Sequence, residues 1–443
     1  MHPPRQRNPG PRHRHPRLRL VPPAPVIDAL NGKGRRLFTT MDNIKSPRFL
    51  AVDFYCGAGG TTRGLIDAGG YVVAGIDNDS GCEQTYLSNN SNGGFGADEP
   101  RLLALDMFPR TEKHPLGQQK EVMSELEDLI PTARQRWPGV PLLFAICAPC
   151  QSFTKFVQRN LTSERERARL RDESLLAQAL PFVVKFKPEL VMIENVMTMR
   201  SKASRSIWDG FLNQLRDQDY EADDDGVCAS RFGVPQHRKR LIGLAIRRRQ
   251  GEAALGLRVP TSDPVARIQT VQDAIGDFPP LTAGGSDESV ANHQCRNLSP
   301  LNRRRLEFLE PGESNRRFAE SADGELTLSC HRRLEASGKR GFGDVYTRMR
   351  PDRPSPTITT RFLSISNGRF GHWDTEQIRP ISLREGAALQ SFPDEYEFYA
   401  KSMDNIASMI GNAVPPRLAS YMAGHLVDVF NTRPDGVRTA DEH

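Results

Sequence analysis

Five short apolar runs constrain this chain more than any other feature: "FLAVDFY", "YVVAGID", "RLLALD", "PLLFAIC" and "ELVMIEN". They are rich in Val, Leu and Ile, and stretches long enough for a helix separate them, such as "TTRGLIDAGG" and "KEVMSELEDLI". Short buried strands alternating with helices predict an α/β fold with a doubly wound, mostly parallel sheet. Each run also closes on something chemically unusual. The first gives Cys56 and a glycine cluster, the second Asp77 and the third Asp106; the fourth gives Cys147-Ala148-Pro149-Cys150, the fifth Glu194-Asn195. Open α/β sheets bind ligands outside the carboxyl ends of their strands. Five such ends on one edge predict a site.

In "DFYCGAGGTTRGL", Gly57, Gly59 and Gly60 allow a tight turn and a close approach of a ligand to the backbone. A plain turn would use the same residues. The spacing is not the dinucleotide fingerprint, and no Gly-Lys-Ser/Thr follows as in a phosphate loop. Asp77, 17 residues after Gly60 at the end of the second run, can accept two hydrogen bonds from ribose hydroxyls. Asp106 can accept from the exocyclic amine of a base. Both acids could instead cap the helices that follow. A nucleoside cofactor without a pyrophosphate cradle fits the set, and S-adenosylmethionine is the candidate.

Cys147 and Cys150 share the Cys-x-x-Cys spacing of zinc ribbons and redox enzymes. A structural zinc needs four ligands. Cys56, Cys82, Cys228, Cys295 and Cys330 form no second such pair, and His293 and His331 stand alone. No metal is expected. A thioredoxin-type pair should open a helix, whereas a polar loop follows Cys150. Cys147 ends an apolar strand, which suits an inert buried thiol. Cys150 lies past the proline, facing the glutamate of the neighbouring strand, where a thiol nucleophile belongs.

These residues carry a resemblance. "DFYCGAGGTTRGL", "PCQSF", "ENV", "FGVPQHRKRLIGLAI", "RPSPTITT" with "LREGAALQSFP", and "IGNAVPP" resemble, in order, the motifs of the bacterial DNA (cytosine-5)-methyltransferase family. They extend from about Arg48 to Asp428. Cys147-Ala148 departs from the family's Gly-x-Pro-Pro-Cys, and Thr154 replaces a serine. The resemblance implies a methyltransferase fold with a smaller target-recognition domain. It implies methyl transfer from S-adenosylmethionine to C5 of a flipped-out cytosine in double-stranded DNA, through a covalent adduct of Cys150 at C6. Glu194, Arg238 and Arg240 would be the other catalytic residues. Cofactor contacts would come from Phe54, Tyr55, Gly57, Gly59, Gly60, Asp77, Asn78, Asp106, Met107, Pro149, Asn412 and Ala413. Gln151, Ser152, Gln236, Thr359 and Thr360 would touch DNA, and "QSFTKFVQRNLTSERERARLRDES" would close over the flipped base.

Charge divides the chain. Residues 1–36 hold nine Lys and Arg against one acid, or +8 of a total of +6, leaving −2 for the rest. The Pro- and Arg-rich residues 1–45 read as a disordered tail, either a nucleic-acid arm or an extension upstream of a start at Met41. Residues 46–260 are expected to form the catalytic and cofactor-binding domain. Residues 261–373, where Arg and Lys interleave with Phe and Tyr, would form the recognition domain; 374–443 would return to the catalytic domain. No run approaches the ~18 apolar residues of a membrane span, no apolar segment follows the basic start, and seven cysteines are an odd number. A monomer in the cytoplasm is expected, associated with the nucleoid and partnered by double-stranded DNA and a cognate restriction endonuclease. Two rival readings are an RNA cytosine methyltransferase and a non-catalytic DNA-binding regulator. The Arg-rich insert argues against the first, and the intact Cys150, Glu194 and Arg240 against the second.

Overall fold

The computed structural model describes residues 46–95, 99–149, 175–201, 205–338 and 343–433. The basic tail, Cys150, Gln151, Ser152 and the rest of the expected closing loop lie outside the described residues. The five apolar runs form β1 (Phe49–Phe54), β2 (Gly70–Ile76), β3 (Arg101–Leu103), β4 (Leu142–Ile146) and β5 (Leu190–Val196). β6 (Tyr220–Cys228) and β8 (Lys239–Arg247) complete a seven-stranded sheet in the order β3-β2-β1-β4-β5-β8-β6; β7 (Gln236–His237) precedes β8 and lies outside it. β1 to β5 pair in parallel, and β8 runs antiparallel to both β5 and β6. The expectation of a doubly wound, mostly parallel sheet holds.

Both faces of the sheet are covered, which is why its central strands read as unbroken apolar runs. Leu50, Val52 and Phe54 of β1 enter one buried cluster with Phe144, Phe182 and Trp208. Phe49 and Ala51 point the other way, toward Leu418, Met422 and Leu426 of the helix Pro416–Asn431. That last helix packs on Gly60–Asp67, the helix after β1. Chain order reverses between β1 and β4, so their carboxyl ends open the crevice where such sheets bind ligands.

β6 escaped the sequence reading because its segment, "YEADDDGVC", is acidic. Its carboxylates are spent on the loops alongside: Glu221 accepts the N–H groups of Leu255 and Leu257, and Asp223 accepts that of Val259. An acidic edge strand also resists pairing with another chain. Beyond β8 the helices are short until Pro300–Glu307 and Ser329–Ala336. β9 (Ser355–Pro356) pairs in parallel with β7. Leu309, Phe318, Leu326, Tyr346 and Ile365 make a small core of their own. Ile358, Phe362 and Phe370 instead share a core with Leu383, Ile406 and Ile410, so packing is continuous across residue 373.

Candidate active site

The turn after β1 is forced into shape by its neighbours. Tyr55, Gly57 and Gly59 take φ values of 63°, 50° and 90°. At Gly59 a Cβ would stand 2.3 Å from Asn90 Nδ2, and at Gly60 one would stand 2.7 Å from the Val414 carbonyl oxygen. Gly57 differs: a Cβ there would meet nothing within 4 Å. The turn is thus closed where it packs and open at one glycine, as a ligand cradle requires.

Asp77 stands beside that opening. Its Oδ2 accepts the Gly57 N–H at 2.9 Å and its Oδ1 accepts the Asp79 N–H at 2.9 Å. Burial pushes its carboxyl above the usual range, against these two donors. The capping role falls to Asp79, whose side chain accepts from Gly81 N–H at the turn Ser80–Cys82. Asp106 accepts the Phe108 N–H at 2.9 Å in a turn well before the helix Gln119–Arg136. Neither acid caps a helix through the hydrogen bonds described. Burial, then Asp106, then Asp77 raise the Tyr55 phenol, placing that side chain near both acids; its hydroxyl donates to Leu175 O at 2.5 Å. Asn78 is exposed and Met107 buried. The Phe54 ring lies in the core, edge-on to Phe144 at 5.0 Å, which leaves its main chain at the strand end.

Asp53, inside β1, was not singled out by the sequence, although an acid in "FLAVDF" is the signal. It is fully buried; Oδ2 accepts from Thr62 Oγ1 at 2.7 Å, and Oδ1 has no partner. Burial, helped by Asp77, pushes its carboxyl up to about 7, against the opposing Thr62 bonds.

On the other side of the switch point, the antiparallel register sets Val196 opposite Arg240 and Glu194 opposite Ile242. Arg240 Nε stands 2.7 Å from Glu194 Oε1, with side chains only 14% and 10% exposed. That oxygen accepts no aligned hydrogen bond, so the contact is one of charge. Asn195 Nδ2 donates to Ala148 O at 3.3 Å, tying the chain two residues before Cys150 to the strand that carries Glu194. Pro149 is exposed. The Cys147 residue is half-buried while its thiol is enclosed near Thr61 Oγ1, at 3.5 Å. Burial first, then Asp53 and Glu194, push that thiol well above its ordinary value and keep it protonated.

Two expected site residues are buried. Arg238 is buried; Nη1 donates to Ile358 O at 3.1 Å, and Nη2 to Gly411 O at 3.2 Å and Ala413 O at 3.1 Å. Gln236 is fully buried, donating to Gln390 Oε1 at 2.7 Å and accepting the Ile358 N–H at 2.8 Å. The physical reason is the break at Arg238, which lies between β7 and β8 and so does not share the strand face of Arg240. Arg238 and Gln236, expected in the catalytic and DNA-contacting sets, form a polar knot that ties this stretch to the chain at Ile358, Leu389–Gln390 and Gly411–Ala413. Thr359 is exposed and Thr360 half-buried, crossing Gly411, where a Cβ would stand 2.4 Å from the Thr360 nitrogen. Asn412 is exposed, and Ala413 lies against Gly60.

The sheet order with its single reversed strand is that of the S-adenosylmethionine-dependent methyltransferase fold. A candidate DNA modification methyltransferase encoded within a prophage (E. coli) shares it, with a TM-score of 0.59 at 18% identity over 86% of this chain and 99% of that one. Residues 132–428 match the family of C-5 cytosine-specific DNA methylases. The type II methylase M.HgiDII of Herpetosiphon aurantiacus is 31% identical over 84% of this chain and 93% of its own length. The type II methyltransferase M.AgeI of Thalassovita gelatinovora is 25% identical over 84% and 97%. The chain belongs to the C-5 cytosine-specific DNA methylase family.

Proposed function

We propose that this enzyme transfers a methyl group sequence-specifically to a cytosine swung out of double-stranded DNA, through a covalent bond between Cys150 and C6. The observation that carries the proposal is the buried Glu194–Arg240 pair, whose Oε1 is unspent in hydrogen bonding, on a strand tied by Asn195 to the chain entering Cys150. An unspent carboxylate oxygen beside a fixed cation fits the N3/N4 edge of a cytosine ring. It is costly without such a partner.

Cytosine C5 is a poor nucleophile. Addition of the Cys150 thiolate to C6 moves electron density to C5, while Glu194 holds a proton at N3 and Arg240 faces O2. The residues present fit S-adenosylmethionine: Asp77 for the ribose hydroxyls, Asp106 for the adenine amine, and the open face of Gly57 between them. Tyr55, Gly59, Gly60, Asn78, Pro149, Asn412 and Ala413 would complete the walls, Phe54 and Met107 contributing from within. When bound, that cofactor supplies an electrophilic methyl group. Loss of the C5 proton and expulsion of Cys150 return the thiolate. A base inside a duplex cannot be reached this way, so it must be flipped, with Gln151, Ser152, Thr359 and Thr360 near the strand it leaves. Residues 261–373 would read the sequence, and 374–433 would close the catalytic domain. The type II names of the relatives support a restriction–modification setting; a cytoplasmic place and a cognate endonuclease belong to the same proposal. Among the described residues no helix is long and apolar enough to cross a membrane.

Cys150→Ser should abolish methylation of duplex DNA while cofactor and DNA binding persist. A duplex carrying 5-fluorocytosine should trap the wild type covalently, because fluorine cannot leave C5 as a proton. An adduct mapped to Cys147, or an active serine variant, would sink the assignment.

A further inference from the structure

A surface cavity of about 530 Å³ opens within the segment 261–373, and three arginines line it: Arg316, Arg317 and Arg369. Arg317 is ion-paired to Glu313 at 2.9 Å and to Glu320, and Arg369 lies 3.4 Å from Asp344. Three acids against three arginines leave the lining without excess charge. Surfaces that grip phosphate work by excess positive charge, and here Arg317 and Arg369 are already held by carboxylates.

Arg316 stands apart from this pairing, engaging no acid among the described residues. Its guanidinium lies against the backbone of Gly343. A Cβ built there would stand 2.2 Å from Nε, 2.8 Å from Nη2 and 2.9 Å from Cζ. Ser314 Oγ donates to Gly343 O at 2.8 Å and fixes that shelf. The result is a planar fork of donors laid on a bare stretch of main chain and ringed by charges already neutralised.

We propose that Arg316 reads a guanine of the target sequence through its O6 and N7, with Gly343 as the platform that orients the fork. Guanine presents two neighbouring acceptors in the major groove, the pattern a guanidinium matches in two bonds; adenine presents one acceptor and one donor. A lining without excess positive charge offers a phosphate little net attraction. The inference rests on the reading of this enzyme as a sequence-specific DNA methyltransferase.

The test begins with the sequence that the full chain methylates in a randomised duplex library, read by bisulfite sequencing. Exchange of the G·C pair read by Arg316 should lower kcat/KM about 5- to 150-fold. 7-Deazaguanine, placed at each guanine in turn, removes only the N7 acceptor and should cost about 5-fold at that one position. In Arg316→Ala the penalty at that position should disappear, while penalties elsewhere remain. Gly343→Ala keeps the arginine but displaces its fork, and should relax the same position. Arg316 is exposed and Gly343 half-buried, and thermal midpoints will check that the variants fold. Unchanged penalties at every guanine in both variants would overturn the proposal. So would a uniform loss on all sequences with a salt slope shallower by about 1, the mark of a phosphate contact. If the wild type methylates no duplex at all, the reading on which this rests falls, and the inference with it.

Discussion

At Glu194 and Asp53 the protein keeps two carboxylates out of water for different ends. Glu194 has its charge matched by Arg240 but its Oε1 unspent in hydrogen bonding, which suits the substrate-facing role proposed for it. Glu194→Gln should lower kcat about 10²- to 10⁴-fold and slow adduct formation, with S-adenosylmethionine affinity unchanged by calorimetry. Asp53 holds a proton instead. Its carboxyl is raised to about 7 from an ordinary 3.8, so the native state binds that proton more tightly than the unfolded chain does. This contribution to stability is full below about 4 and is lost as pH rises to about 7. Asp53→Asn should therefore be more stable than the wild type at pH 8, by an amount on the order of a few kcal/mol. Chemical denaturation at pH 5 and pH 8 measures the difference, which should shrink at the lower pH.

Between elements, buried polar clasps take over from apolar packing. Glu385 in the helix Leu383–Leu389 accepts two bonds from Arg379, at 2.7 and 2.8 Å, with His372 Nε2 at 3.5 Å, all nearly sealed from solvent. Burial alone would raise this carboxyl, but the hydrogen bonds of Arg379 and His372 and the charge of Arg379 hold it well below the carboxylate range. A depressed acid contributes stability above its unfolded value and loses it as pH falls below about 4.3. Glu385→Gln strands a buried guanidinium and should cost about 3–5 kcal/mol in equilibrium unfolding. None of this was legible in "LREGAALQSFP", since a motif string does not tell which charges meet. What the sequence did reveal follows from burial on both faces: β1, β2, β4 and β5 are apolar because helices cover them. β8 lay within a recognised motif, but its reversed direction left no mark in composition. The meeting of Glu194 with Arg240 depends on that direction. Gln236, Arg238 and Arg240 look alike in sequence, and only the break between β7 and β8 separates their fates.

On the scale of the whole molecule, charge and catalysis are divided along the chain. The first 36 residues carry +8, while the motifs begin near Arg48. A chain starting at Met41 should keep full methylation and the same target. The longer chain should bind scrambled duplex more tightly at low salt, its log K falling more steeply by about 0.9 for each phosphate neutralised. A salt series on cognate and scrambled duplexes compares them; a changed target sequence in the shorter chain would make the tail part of the recognition apparatus. Among the described residues the first helix, Gly60–Asp67, and the last, Pro416–Asn431, are also packed on each other. A Cβ at Gly60 would stand 2.7 Å from Val414 O, and one at Gly64 would stand 2.4 Å from Pro416 O. The ribosome makes the glycine turn more than 300 residues before the helix Pro416–Asn431 that walls it in. At about 5–20 residues per second, a growing chain carries Cys150 and Glu194 for tens of seconds before that wall exists. If Cys150 and Glu194 react as proposed, a polypeptide released before Pro416–Asn431 has them without the helix that closes the glycine turn, and methylation waits for that helix.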